Sequence, residues 1–245
     1  MIDLRQGDCL ELMKDIPNKS VDMILCDLPF GTTRNKWDSV LSLDKLWEQY
    51  DRIIKNDGAV VLFAQTPFDK VLGCSRINLL RYEWIWEKTE ATGFLNAKKM
   101  PLKAHENILV FYKQLPKYNP QFGEGKPYRY KKENISSSNY GNSNGTSLIQ
   151  NSGFRYPKSI LCFKKDKGFH PTQKPVELLE YLIKTYTHEG EIVLDNCMGS
   201  GSTGVACVNT NRNFIGMELD ENYFNVASQR IRDAQEALEI VKVTV

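Results

Sequence analysis

The chain has 245 residues, 41% of them hydrophobic, and a net charge of +2, enough to build one substantial core and a smaller appendage without covalent staples. Its six cysteines, at positions 9, 26, 74, 162, 197 and 207, include no Cys-x-x-Cys pair and sit mostly in apolar surroundings, which suggests neither a disulfide framework nor a zinc site and predicts reduced core thiols in a cytosolic protein. No signal-peptide core and no run of eighteen apolar residues is present, so a soluble cytoplasmic chain is expected, with no membrane partner.

The first strand is expected at residues 1–5, followed by Gly7-Asp8-Cys9. Asp8 then lies at a strand end and also suits the N-cap of a helix over residues 9–14. The apolar run 21–26 predicts a buried strand, and it ends in Asp27-Leu28-Pro29-Phe30. This tetrapeptide carries the parts needed to recognise a planar amine. The aspartate accepts a hydrogen bond from an exocyclic amino group, the proline aims the preceding carbonyl at the same nitrogen, and the aromatic ring stacks on the base. The chemistry suggested is methylation of a nucleobase amine, although Asp-x-Pro-aromatic is also an ordinary strand-to-turn exit. The polar loop that follows, with Arg34, Lys36 and Trp37, reads either as a lid over the base or as a surface turn.

Further on, hydrophobic periodicity predicts helices over residues 41–54 and 67–78 and strands over 59–63, 81–87 and 108–112. Residues 96–175 hold 15 Lys and Arg against 4 Asp and Glu, leaving the rest of the chain acidic by nine charges. A basic middle on an acidic body implies a polyanion partner. Tyr118, Phe122, Tyr128, Tyr130, Tyr140, Phe154 and Tyr156 interleave with these charges, as on surfaces that meet phosphates and bases; a solvated lysine-rich face is the alternative. Residues 134–153 turn to Ser, Asn and Gly and are expected to lack a core.

After His170-Pro171-Thr172-Gln173-Lys174-Pro175, a helix is expected with Val176, Leu179, Ile183 and Tyr186 on one face. The short strand 192–195 ends in Asp195 and leads into Gly199-Ser200-Gly201-Ser202-Thr203-Gly204, a helix over 205–209, and a strand 213–217 that closes on Glu218. Strand, glycine turn, helix and a carboxylate seventeen residues beyond Gly201 make a nucleotide-type site. The spacing also satisfies Gly-x-Gly-x-x-Gly, but a carboxylate at Asp195 would repel a pyrophosphate. It suits the ammonium and sulfonium of S-adenosylmethionine. The last helix repeats an apolar stripe at Tyr223, Val226, Ile231, Ala234 and Leu238.

On Asp27 to Phe30, His170 to Pro175 and Asp195 to Gly204, in that order, the chain resembles the beta-class DNA amino-methyltransferases, a circularly permuted group that modifies adenine N6 or cytosine N4. The departures are Leu28 for the family's second-position proline, and Asn196 with Cys197 for its Pro-Phe. The resemblance implies an α/β fold: a permuted Rossmann-like methyltransferase sheet with helices on both faces, plus a small basic target-recognition insertion. It divides the chain into a catalytic half (1–112), a target-recognition region (113–167) and a cofactor half (168–245). It also implies that Asp27, Leu28, Pro29 and Phe30 are catalytic, and that Asp8, His170, Lys174, Asp195, Gly199, Gly201 and Glu218 bind S-adenosylmethionine, Asp8 at the adenine amine and His170 and Lys174 beside the methionine portion. No metal is expected, because His105, His170 and His188 lack ligand spacing. The expected reaction is direct methyl transfer to adenine N6 of a flipped base in DNA. The alternatives are cytosine N4, an RNA or protein amide, or a silent DNA-binding module. A homodimer and a cognate restriction endonuclease are partners the resemblance allows.

Overall fold

The computed structural model describes residues 1–31, 41–134, 145–166, 168 and 173–244. In chain order the elements are β1 (Ile2–Gln6), α1 (Cys9–Leu12), β2 (Val21–Asp27), α2 (Leu43–Ile53), β3 (Ile54–Ala64), α3 (Phe68–Ser75), β4 (Leu80–Thr92), β5 (Lys103–Phe111), β6 (Gly123–Glu124), β7 (Tyr128–Asn134), β8 (Gly145–Asn151), β9 (Phe154–Arg155), β10 (Ile160–Phe163), α4 (Val176–Tyr186), β11 (Ile192–Asp195), α5 (Ser202–Asn209), β12 (Asn213–Glu218) and α6 (Glu221–Thr244). Among these no helix is long and apolar enough to cross a membrane.

Eight strands form one sheet in the order β1-β12-β11-β2-β3-β5-β4-β10. The first five run parallel, with β1 on β12 and β2 on β11, so strands from the two ends of the chain are neighbours. This is the circular permutation expected from the order of the motifs. β5 alone is antiparallel, to both β3 and β4. A central parallel strand covered on both faces should be apolar throughout rather than alternating, and Val21 to Cys26 are all buried. Met23 and Leu25 face a core shared with α4, α5 and α6, while Ile24 and Cys26 face another beneath α1, α2 and α3.

The helices follow their apolar stripes. In α2, Leu46, Trp47, Tyr50 and Ile53 are buried, and in α4 the buried face is wider than expected, taking in Leu178 and Leu182 beside Leu179, Ile183 and Tyr186. Three sequence expectations are corrected. Cys74 and Cys162 are exposed rather than in the core. β4 and β5 extend well beyond the predicted spans, because a hairpin can continue pairing past the point where its side chains are buried. Strand β10, unpredicted at four residues, pairs with β4, and the Trp86 indole N–H donates to the Phe163 carbonyl at 3.0 Å.

The chain divides into two compact units, residues 1–119 with 159–245, and Pro120–Lys158. The second is narrower than the 113–167 window, since β10 belongs to the sheet of the first. Within it β6 pairs with β9 and β7 with β8, both antiparallel. Part of the Ser/Asn/Gly run expected to lack a core is strand β8, paired along one edge with β7. Residues 135–144 of that run, and the loop with Arg34, Lys36 and Trp37, lie outside the described residues.

Candidate active site

In an open α/β sheet, ligands bind beyond the carboxyl ends of strands where the chain winds in opposite directions on either side. That point lies between β11, which leads through α5 to β12, and β2, which leads through α2 to β3. Asp195 closes β11 and Asp27 closes β2, and the two carboxylates are close enough for Asp27 to raise the proton affinity of Asp195. The first thirty residues and the late glycine turn thus meet at one crevice.

Asp27 Oδ2 is ion-paired with the Lys174 ammonium. Oδ1 is shielded, yet has no hydrogen-bond partner among the described residues, although 28% of the side-chain surface is exposed. Leu28 is buried at 2% exposure and points into the core beside α2 and α3, so its side chain is structural. Pro29 and Phe30 are half-buried. The Phe30 ring lies 5.3 Å from that of Phe68, centroid to centroid, at a 33° tilt. Phe68 thereby packs against the Phe30 ring and helps to fix its position.

Lys174, which the resemblance sets beside the methionine part of a cofactor, has its ammonium on Asp27 and, at 3.3 Å, on Glu106 of β5. Glu106 is held from its other side by Lys88 of β4 at 2.5 Å. The Lys174 ammonium also lies 5.2 Å from the centroid of the Phe63 ring, in cation–π range. Burial is the largest influence on Asp27 and pushes its carboxyl up, beyond what Lys174 pulls back. Burial acts the same way on Glu106, but two lysines outweigh it and hold that carboxyl below the usual range. His170, the motif's other candidate, lies outside the described residues.

The glycine turn is built by its carboxylates. Asp195 accepts the Cys197 N–H at 3.1 Å and the Thr203 hydroxyl at 2.6 Å. Glu218 accepts the N–H groups of Gly199 at 2.8 Å and Asp220 at 2.9 Å. From α6, Arg230 donates to the Ser200 carbonyl at 2.6 Å. Asp8 caps α1 through the Leu10 N–H at 2.8 Å, and Gly7 N–H binds the Glu218 carbonyl, which sets Asp8 beside the end of β12.

The two named glycines do different work. Gly199 has φ +52°, and among the described residues nothing lies within 4 Å of where a Cβ would stand, so they leave the space above it open. Gly201 has φ +79° and a Cβ there would meet the Ala227 Cβ at 2.8 Å. Gly201→Ala should therefore combine a left-handed strain with a clash against the α6 backbone and cost about 2–4 kcal/mol. Urea unfolding measures this, and a loss below about 0.5 kcal/mol would contradict the packing role.

The departure at Asn196 has a structural answer. Its amide is buried, and Oδ1 accepts the Tyr50 hydroxyl at 2.5 Å while its N–H group contacts the Cys9 and Cys197 sulfurs at 3.5 Å. Neither Tyr50 nor this pairing was foreseen, and nor were Glu106 and Lys88. A lone acid directly before the apolar run of a strand, as in Glu106-Asn107-Ile108, was the available signal.

A family model described as DNA methylase, of the N6/N4 methyltransferase kind, matches residues 21–229. The chain belongs to the DNA methylase family. Similar curated proteins include the type II methyltransferase M1.MboII of Moraxella bovis, 27% identical across 92% of this chain and 94% of that protein. The DNA adenine methyltransferase YhdJ of Escherichia coli K12 is 28% identical across 97% and 85%. Among solved structures, the M1.HpyAVI–SAM complex superposes with a TM-score of 0.65 and 26% identity over 94% of this chain and 100% of that one. The cytosine-N4-specific PvuII DNA methyltransferase shares the fold, at TM-score 0.70 and 16% identity over 96% and 91%. This chain is accordingly an S-adenosylmethionine-dependent DNA methyltransferase of the N6-adenine/N4-cytosine family.

The methylase's turn fits that cofactor. The open space over Gly199 and the carboxylates Asp195 and Glu218 suit a ligand with cationic groups and ribose hydroxyls. Burial pushes Asp195 up to about 6 and moves Glu218 in the same direction. Because the folded value lies above the ordinary one, Asp195 favours the fold as pH falls through about 6 toward the carboxylate range, and this contribution is absent above it. A cationic ligand favours the ionised form, so S-adenosylmethionine affinity should weaken below about pH 6, by up to tenfold per unit. Calorimetric titrations from about pH 7 to about pH 5 test this; flat affinity in the native chain, or an unaltered slope in Asp195→Asn, would contradict it.

Proposed function

We propose that this DNA methylase transfers a methyl group to N6 of adenine at a specific DNA sequence, with the base turned out of the duplex into the crevice between β2 and β11. The carrying observation is Asp27 Oδ1, a shielded acceptor without a donor among the described residues, as a pocket awaiting an amine requires. The bound cofactor supplies an electrophilic methyl group on a sulfonium.

The chain's own residues do the remainder. The adenine amine has its lone pair drawn into the ring, and a hydrogen bond to Asp27 Oδ1 with another to the Leu28 carbonyl would favour the tetrahedral nitrogen. Extrusion of the base costs a few kcal/mol, and stacking on Phe30 returns roughly 1–3 kcal/mol. Holding both reactants in one crevice supplies effective molarities that reach about 10⁵ M or more.

The DNA-facing surface is supported by exposed apolar and basic groups. Beyond the carboxyl end of β4, Phe94 and Leu95 are 81% and 99% exposed, and Lys98, Lys99 and Lys103 follow them. In the 120–158 unit, Phe122, Tyr128, Tyr130, Phe154 and Tyr156 are exposed among Lys126, Arg129, Lys131, Lys132 and Arg155. We assign that unit the reading of the target sequence. Incubation of mixed-sequence DNA with methyl-labelled S-adenosylmethionine, followed by nucleoside analysis, tests the reading. N6-methyladenine is expected, N4-methylcytosine would move the assignment to the other base, and unlabelled DNA would overturn it.

A further inference from the structure

Two side chains outside every motif complete the catalytic carboxylate's surroundings. Lys88, Glu106 and Lys174 have side chains only 8%, 11% and 7% exposed, and with Asp27 they form a chain of ion pairs from β4 through β5 to β2. Burying four charges is costly unless each is paired. Among the described residues this network leaves two carboxylate oxygens without a hydrogen-bond donor: Glu106 Oε2, which keeps its ion contact to Lys174, and Oδ1 of Asp27, at the end of the chain of pairs. The Lys174 ammonium pairs with Asp27 through Oδ2 alone and makes a second ion contact to Glu106 Oε2 at 3.3 Å.

We propose that Glu106 and Lys88 are positioning residues for proton removal from the target amine: Glu106 shares Lys174 with Asp27 so that Asp27 Oδ1 stays free to take the proton released on methylation, and Lys88 keeps Glu106 ionised. The inference rests on the amine-methylation reading above and deepens it. As the N–CH₃ bond forms, the S–CH₃ bond breaks and its electron pair stays on sulfur as a neutral thioether. The methylated nitrogen, positively charged, passes one proton to Asp27 Oδ1. The four protein groups go from neutral to +1 while the sulfonium charge disappears, so the charge within the crevice is conserved. Glu106 is then the remaining counter-ion of both lysines. The division of labour also fits the general pattern in which one carboxylate of a coupled pair is kept as the base and the other as a permanent anion.

Among the described residues, the titratable groups facing Asp27 include Lys174 from the segment before α4, Glu106 from β5, Lys88 from β4, Asp195 from β11 and Cys26 of its own strand. Their signs give a test that a packing role would not reproduce. Removing the Glu106 charge takes away a repulsion and lowers the Asp27 value, whereas removing the Lys88 charge takes away an attraction and raises it. In single-turnover rates against pH, Glu106→Gln should move the acid limb to lower pH and Lys88→Met should move it to higher pH, each by about one unit. Glu106→Gln should also slow the plateau roughly 10- to 100-fold. S-adenosylmethionine binding by calorimetry, which does not depend on turnover, should stay near the native value in both.

Limbs that stay put, or that move in the same direction, would overturn the proposal, as would a native plateau in Glu106→Gln. If Glu106→Gln fails to fold, the alkaline shift of Lys88→Met decides alone. A product of N4-methylcytosine from the native enzyme would overturn the adenine assignment but leave these shifts to be scored on the other amine.

Discussion

Asp27→Ala should lower methyl transfer by about 10³-fold or more while leaving S-adenosylmethionine affinity nearly unchanged. The separation follows from which groups each carboxylate serves. Asp195 and Glu218 hold the glycine turn through backbone N–H groups and Thr203, and none of those bonds involves Asp27. The fold should tolerate the change, because Lys174 keeps Glu106 as a counter-ion at 3.3 Å. Asp27→Asn is the sharper companion: it keeps the shape and one accepting oxygen but cannot take a proton. It too should be slow, and turnover within about tenfold of native would show that the carboxylate serves only as a hydrogen-bond acceptor.

Lys174→Met should be the most destabilising single change in the site. It leaves Asp27 and Glu106 buried near each other with only Lys88 between them in charge, and breaking a buried pair by removing one member costs about 3–5 kcal/mol, a large share of the roughly 5–15 kcal/mol available to a folded chain. The pH dependence gives the cause. Without the ammonium both folded carboxyl groups lie above their unfolded values, so the variant's fold binds protons more tightly than its unfolded chain. Its stability should recover as pH falls through those raised values and be lowest above them. Glu106 in the native chain is held low by Lys174 and Lys88, and its contribution is present above the ordinary carboxylate range and lost only as pH falls through the lowered value. Thermal melts from about pH 8 to about pH 5 should therefore show the gap between native and variant closing. A constant gap would mean that Lys174 stabilises by packing on Phe63 and not by charge.

The parts of this site that were legible in the sequence are those that sit at the ends of parallel strands. Asp27, Asp195 and Glu218 each close an apolar run, so periodicity alone marks them as facing one edge of the sheet, and the order of the runs predicts that β1 and β2 return beside β12 and β11. Asp8 was legible in both its roles, since an N-cap and a strand end use the same residue. Glu106 and Lys88 were not. They belong to a hairpin that outruns its own hydrophobic pattern, and the predicted spans stopped one residue short of Lys88 and two short of Glu106. Their meaning comes from an ammonium supplied from a segment 68 residues beyond Glu106, a pairing no local rule reveals. Lys174 was legible as a site residue through its motif, but its partner was set by tertiary geometry.

The departures at Asn196 and Cys197 teach a related point. A polar residue in place of an apolar one in a buried turn looks like a loss until its partner is known, and Tyr50, lying on α2 in the stripe that reads as pure core, supplies the hydroxyl. A core position with a polar tip can serve packing and satisfaction at once.

The proposed reaction requires one placement, the target amine on Asp27 beside a methyl donor held at the glycine turn. A crystal structure of the protein with the donor analogue sinefungin and a duplex carrying the mapped methylation site tests it most directly. It should show an extruded adenine with N6 within hydrogen-bond distance of Asp27 Oδ1, its ring on Phe30, and the analogue over Gly199 between Asp195 and Glu218. An analogue bound elsewhere, or a base whose amine leaves Oδ1 without a partner, would contradict it.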